Sequence, residues 1–254
     1  MKNCQATSPE PGIIIGRHAV AEALAAGQHL NQLWIADGLD RDALLDQIFQ
    51  SARQRGVRYA IVPRVKIESA APGAVHQGVL AWVAPMSLLS EEELLQQALS
   101  RDNDPVILLL DSIEDPQNIG AIIRTAVAGG VAGVLITQHH SAPVNHTVFK
   151  TSAGMLAHCP VARVTNLVQT MRRLKSAGFW IYGADSHRGV DYDAPDYRGK
   201  IALALGNENR GLRRLVSEQC DFLVKIPMQA PVESLNVSVS AALLIYKARE
   251  KRAT

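Results

Sequence analysis

Apolar and polar positions alternate along this chain in two series, separated by an acidic stretch between Pro85 and Pro105. In the first series, "GRHAVAEALAAG" (16–27) repeats apolar residues at helical spacing and stops at a glycine, and "RDALLDQIFQSARQRG" (41–56) does the same. Between and after them, "QLWIAD" (32–37), "RYAIVP" (58–63) and "GVLAWVAP" (78–85) read as strands. This alternation predicts a small α/β domain over residues 12–85. The stretch "MSLLSEEELLQQALSRDNDP" reads as an amphipathic linker over 86–104.

From residue 105 the strand-like runs become continuously apolar. "VILLLD" (106–111), "GVLIT" (133–137), "VARV" (161–164), "FWIYGAD" (179–185), "IALALG" (201–206) and "FLVKIP" (222–227) are strands of the kind buried on both faces of a parallel sheet. Helical stretches separate them at 118–130, 166–178, 211–220 and 234–251. The expectation for 105–254 is therefore a doubly wound α/β domain whose ligands bind at the carboxyl ends of the strands. One such end carries "GNENRG" (206–211), a glycine-bracketed polar turn that allows a ligand to approach the backbone.

Composition leaves this picture standing. The 254 residues are 47% hydrophobic and 20% charged, enough apolar material for two cores. No apolar run reaches the roughly 20 residues of a membrane span, and the N-terminus lacks the apolar centre of a signal peptide, so a cytoplasmic protein is expected. Residues 105–254 carry 17 Lys and Arg against 12 Asp and Glu, which permits a polyanionic partner without requiring one. Cys4, Cys159 and Cys220 are too scattered for a disulfide framework or a zinc site and are read as reduced thiols. His139, His140 and His146 have no companion ligands, so no metal is expected. The first strand of the second series is not followed by G-x-G-x-x-G, and no P-loop pattern occurs, which argues against a dinucleotide enzyme or a kinase.

Three segments stand together at strand ends: "DSIEDPQNIGAIIRTA" (111–126), "GNENRG" (206–211) and "IPMQAPVESLNVSVSAA" (226–242). In order and spacing they resemble the three motifs of the SpoU (TrmH) family of RNA ribose 2′-O-methyltransferases, of the SPOUT class. The segments "IIIGRHAVAEAL" and "HQGVLAWV" are similar to the substrate-binding domain of its RlmB-like ribosomal-RNA guanosine branch. The resemblance implies a deep trefoil knot in the parallel-sheet domain, S-adenosylmethionine as cofactor, ribosomal RNA as substrate and a homodimer. A transfer-RNA ribose methyltransferase and a non-catalytic RNA-binding or assembly factor are the rival readings.

The same resemblance assigns site residues. Gly206, Ile226 and Leu235 would hold the cofactor through their backbones. Arg124 matches the arginine assigned to activating the hydroxyl. Since a guanidinium stays protonated, orienting the hydroxyl or clamping a phosphate suits it better than removing a proton. Asn118 is either a helix N-cap or a site residue, or both. Glu208, the one acid of the turn, could hold Arg124 or a ligand hydroxyl. Ser234 and Asn236 open the last helix, where Ser234 could serve as its cap. Arg17, His18, His76 and Gln77 are candidates for RNA contact, and Arg172, Arg173, Arg213 and Arg214 read as surface pairs that can meet phosphate.

Overall fold

The computed structural model describes residues 12–25, 27–83 and 88–253. The chain divides into two compact units, Met1–Ser87 and Leu88–Thr254.

The first unit has β1 (Ile13–Ile15), α1 (Arg17–Ala25), β2 (Leu30–Ala36), α2 (Ala43–Gln54), β3 (Tyr59–Val62), α3 (Arg64–Ala70) and β4 (Val79–Val83). Its four strands lie in the order β1-β4-β2-β3, with β2 and β3 parallel and the other pairs antiparallel. Side chains of β2 alternate between the two faces. Leu33 and Ile35 join α1 and α2 in one core, whereas Trp34 and Ala36 join α3 in a second.

The second unit begins with α4 (Glu91–Arg101), started by a capping box in which Ser90 and Glu93 bond each other's backbone N–H. Leu94 and Ala98 of this helix are fully buried in the core of the unit, so the stretch read as a linker is packed rather than free. There follow β5 (Val106–Asp111), α5 (Pro116–Ala128), β6 (Gly133–Thr137), α6 (His146–Thr151), β7 (Val161–Val164), α7 (Leu167–Ser176), β8 (Trp180–Ala184), β9 (Val190–Asp191), β10 (Ile201–Gly206), α8 (Arg214–Ser217), β11 (Phe222–Lys225) and α9 (Val237–Ala253). Seven strands form one sheet in the order β7-β6-β5-β10-β8-β11-β9, and every pairing is parallel. Leu108, Leu109, Leu203 and Ala204 are 0% exposed, which is why these strands read as unbroken apolar runs.

Parallel pairing puts all carboxyl ends on one side. The two central strands, β5 and β10, end level, with Gly206 opposite Asp111. The loops after β5 and β10 therefore leave the sheet side by side, although 95 positions separate those two residues.

Candidate active site

The loop after β5 turns into α5 through Asp115, whose side chain accepts the Gln117 backbone N–H at 2.8 Å, with Pro116 as the first helical residue. Asn118 is thus inside the helix and not at its cap. Its amide is left available and works at longer range: Nδ2 donates to Glu208 Oε1 in a short hydrogen bond, while Oδ1 accepts from Asn236 Nδ2 at 3.0 Å. Asn236 in turn accepts Ser238 N at 2.8 Å and Ser238 Oγ at 2.6 Å. It, rather than Ser234, sits where the cap of α9 belongs, so the last helix begins at Val237 and not at 234.

Asn118, Glu208 and Asn236, one from each of three distant segments, therefore form a single hydrogen-bonded chain. Its direction is set by chemistry. A carboxylate only accepts, so Asn118 must give Glu208 its NH₂ and present its carbonyl to Asn236.

The turn itself is held from within. Asn207 Nδ2 donates to the Ser112 carbonyl at 3.1 Å, Asn207 Oδ1 accepts Asn209 N at 3.0 Å, and Gly211 N donates to the Asn207 carbonyl at 2.8 Å. Left-handed backbone occurs at Gly211 (φ +65°), not at the asparagines. A Cβ on Gly206 would lie 2.1 Å from the Gly211 carbonyl carbon, so the turn folds back onto the strand end with no room for a side chain.

Sequence reasoning overlooked the pair beneath this turn. Asp111, 0% exposed, accepts Arg213 N at 2.9 Å and Arg213 Nε at 2.7 Å. Arg213, read as a surface charge, thus locks the start of α8 to the end of β5, and the helix expected over 211–220 is confined to Arg214–Ser217. The signal was an aspartate closing an otherwise apolar strand.

Beside the turn lies a cavity of about 530 Å³. Gly206, Ile226 and Leu235 all line it, together with Glu208, Ser234 and Met228. Among the described residues, the backbone N–H groups of Ile226 and Leu235 find no acceptor in the protein. Unpaired donors of this kind call for a ligand or water. The volume is in the range of clefts that hold small cofactors. One wall is Asp185, whose carboxylate accepts Arg188 Nε at 3.0 Å and Arg188 Nη2 at 2.7 Å. Burial pulls its pKa up, but the His187 backbone N–H and the Arg188 guanidinium outweigh that and hold it below the usual range.

Arg124 is exposed on α5 and makes no hydrogen bond or ion pair among the described residues. Six residues beyond Asn118, it lies about 120° away from it round the helix. Glu208 therefore holds Asn118 and not Arg124, correcting one of the two roles expected for this acid.

The remaining candidates scatter. In the first unit Arg17 is committed internally, to Asp42 at 2.6 Å and the Gln77 carbonyl at 3.1 Å. His76 is 3% exposed, bonded to Glu68 at 2.8 Å and accepting Gly78 N through Nδ1 at 3.0 Å. Only His18 and Gln77 of these four have exposed side chains. Arg173 pairs with Glu91 at 3.3 Å and Arg214 with Glu218 at 2.8 Å, both ordinary surface pairs. No group of three or more His, Cys, Asp and Glu placed to hold a metal occurs among the described residues, and no helix of the structure is long and apolar enough to cross a membrane.

Comparison with known proteins bears on both units. The model of the SpoU rRNA methylase family matches residues 105–246, and that of the RNA 2′-O ribose methyltransferase substrate-binding domain matches residues 13–89. A relative from Staphylococcus haemolyticus, named "Putative TrmH family tRNA/rRNA methyltransferase", is 40% identical over 240 residues, covering 94% of this chain and 96% of the relative. Among solved structures, the SpoU methyltransferase AviRb from Streptomyces viridochromogenes in complex with AdoMet superposes with a TM-score of 0.71 at 23% identity, over 96% of this chain and 91% of that one. A crystal structure of an RNA 2′-O ribose methyltransferase gives 0.67 at 26% identity, over 95% and 89%.

Proposed function

The chain belongs to the SpoU rRNA methylase family, and on that premise we propose that it methylates a ribose 2′-hydroxyl of a guanosine in large-subunit ribosomal RNA, with S-adenosylmethionine as donor. The observation that carries the reading is the Asn118–Glu208–Asn236 chain, one residue from each of the three motifs, standing beside a cofactor-sized cavity. Bound in that cavity, S-adenosylmethionine supplies an electrophilic methyl on a sulfonium. Gly206 leaves the turn backbone open to it, and the free N–H groups of Ile226 and Leu235 are donors for a purine edge.

On the acceptor side, Arg124 is a cation that has no internal partner among the described residues and is available to clamp the phosphate next to the reacting ribose and orient its hydroxyl. Glu208 and Asn236 fix the Asn118 amide, so that the wall between cofactor and substrate is rigid. Alignment of this sort supplies a large part of the acceleration of a transfer between two bound groups.

A homodimer belongs to the same proposal. Val239 and Tyr246, seven residues apart on one face of α9, are 46% and 48% exposed, an apolar face suited to a second copy. The knotted C-terminal crossing is likewise part of it. Transfer RNA is the competing substrate, favoured by the double name of the relatives. Mapping ribose methylation in RNA from cells with and without the protein decides: loss at one large-subunit guanosine supports the reading, and loss in transfer RNA replaces it.

A further inference from the structure

The face of the first unit's sheet that carries α3 is only partly covered by it. Ile67 and Ala71 close over Ala36, Val62 and Leu80, and Lys66 lies over the Trp34 ring at 4.4 Å. One step along the strands, the next row across the sheet is left open. Pairing puts Ile13 opposite Trp82 and Trp82 opposite Gln32, while the Leu33–Tyr59 pair brings Arg58 level with Gln32. Ile13 is 40% exposed, and Gln32 and Arg58 are also exposed.

This row is built rather than incidental. The β2–β4 register shifts between Leu30 and Gln32, a bulge that adds Asn31 to the strand and re-aims side chains beside Trp82. Asn31, Gln32, Arg58 and Trp82 line a cavity of about 370 Å³. Among the described residues, the side chains of Asn31, Gln32 and Arg58 have no partner. Trp82 is braced by Trp34 of the neighbouring strand, with ring centroids 4.2 Å apart at 69°.

We propose that this row is a docking site for an unpaired nucleotide of the RNA substrate, an inference that rests on RNA being what the protein methylates. The base stacks against Trp82, the Asn31 and Gln32 amides, each both donor and acceptor, meet its edge, and Arg58 takes the adjoining phosphate. An aromatic platform with a cation and uncommitted amides is the chemistry that selects single-stranded over duplex RNA. The cavity is at the small end of ligand-sized clefts, fitting one nucleotide rather than a peptide segment.

The test titrates the full chain into a short fluorescein-labelled single-stranded RNA and into the same sequence annealed as a duplex, at about 50 and 200 mM salt. The wild type binds the single strand more tightly. Arg58→Ala and Gln32→Ala, at exposed positions without internal partners, each weaken it by about fivefold or more and leave Tm and S-adenosylmethionine affinity unchanged. Arg58→Ala also lowers the salt slope by about 0.7, one phosphate contact on a single strand. In a Trp180→Phe background, single-stranded RNA quenches the remaining tryptophan fluorescence.

Unchanged affinity in both variants, or equal binding and quenching by duplex and single strand, overturns the site. Normal methyl transfer with both variants unchanged overturns the site alone. Single-strand binding at the row without methyl transfer to any RNA supports the site and refutes the enzymatic reading.

Discussion

Gly206→Ala is the sharpest probe of the cofactor wall, because the structure sets its size. The added Cβ would meet the Gly211 carbonyl carbon at 2.1 Å, its oxygen at 2.2 Å and Leu212 N at 2.2 Å, all backbone. Clearing these contacts requires the turn to withdraw by about 1.5 Å, to ordinary van der Waals separation. The turn is not free to do so, since Asn207 ties it to the Ser112 carbonyl and Arg213 ties its far end to buried Asp111. Overpacking of this kind costs about 1–3 kcal/mol. For a chain of this size that corresponds to a Tm lower by roughly 2–12 °C. A displacement of that size breaks the backbone contacts the turn would make with the cofactor, and S-adenosylmethionine affinity should fall by about tenfold or more. Calorimetry of cofactor binding and a thermal melt measure both. Gly178→Ala is the control: φ is +88° there but nothing lies within 4 Å, so it pays left-handed strain of about 1–2 kcal/mol and keeps the affinity. A Gly206→Ala protein that binds the cofactor within about threefold of wild type refutes the placement of the turn against the ligand.

Arg124→Ala should leave cofactor affinity within about threefold while turnover drops by roughly 10²-fold, and Arg124→Lys should rescue little, because an ammonium cannot reproduce a forked planar donor. Calorimetry with single-turnover methylation reads both, and loss of cofactor binding in the alanine variant would move the catalytic centre elsewhere. Removing residues 1–85 should leave a folded protein that binds S-adenosylmethionine and has lost RNA affinity, since the core of the second unit draws on α4 and later elements. An unfolded product by circular dichroism would show that the two units depend on each other. Burial pushes the Cys159 and Cys220 thiols up to about 12, so they stay protonated and unreactive through pH 8. Mass spectrometry after brief iodoacetamide treatment should find both unmodified in the native protein and alkylated after denaturation, and rapid native labelling of either contradicts its burial.

Much of the sheet was legible because burial on both faces leaves unbroken apolar runs. β5, β6, β7 and β10 begin and end where the pattern places them. Short elements were not: α6 has two buried apolar residues, too few for a period, and β9 is two exposed residues long. The Asp-Pro pair before α5 was a readable start signal, yet Asn118 competed for the cap and drew the boundary two residues late. Asn118, Glu208 and Asn236 were named individually through the motif resemblance. Their mutual bonding could not be read from periodicity, since the contacts span 90 and 118 positions.

The strand order has a consequence for how the chain comes to be folded at all. β5, β6 and β7 are made early and can associate as they emerge, but the partner on the open side of β5 is β10. Roughly 90 residues must be translated between the end of one and the start of the other, which takes about 5–20 s at ordinary elongation rates. During that interval the apolar edge of Val106–Asp111 has no permanent neighbour, and nascent chains on one message expose it together. Residues up to 83, whose four strands pair only with one another, are complete long before. Synthesis of the second unit is thus a race between arrival of Ile201–Gly206 and aggregation, and slowing the ribosome within 112–200 should lower soluble yield more than slowing it after 206.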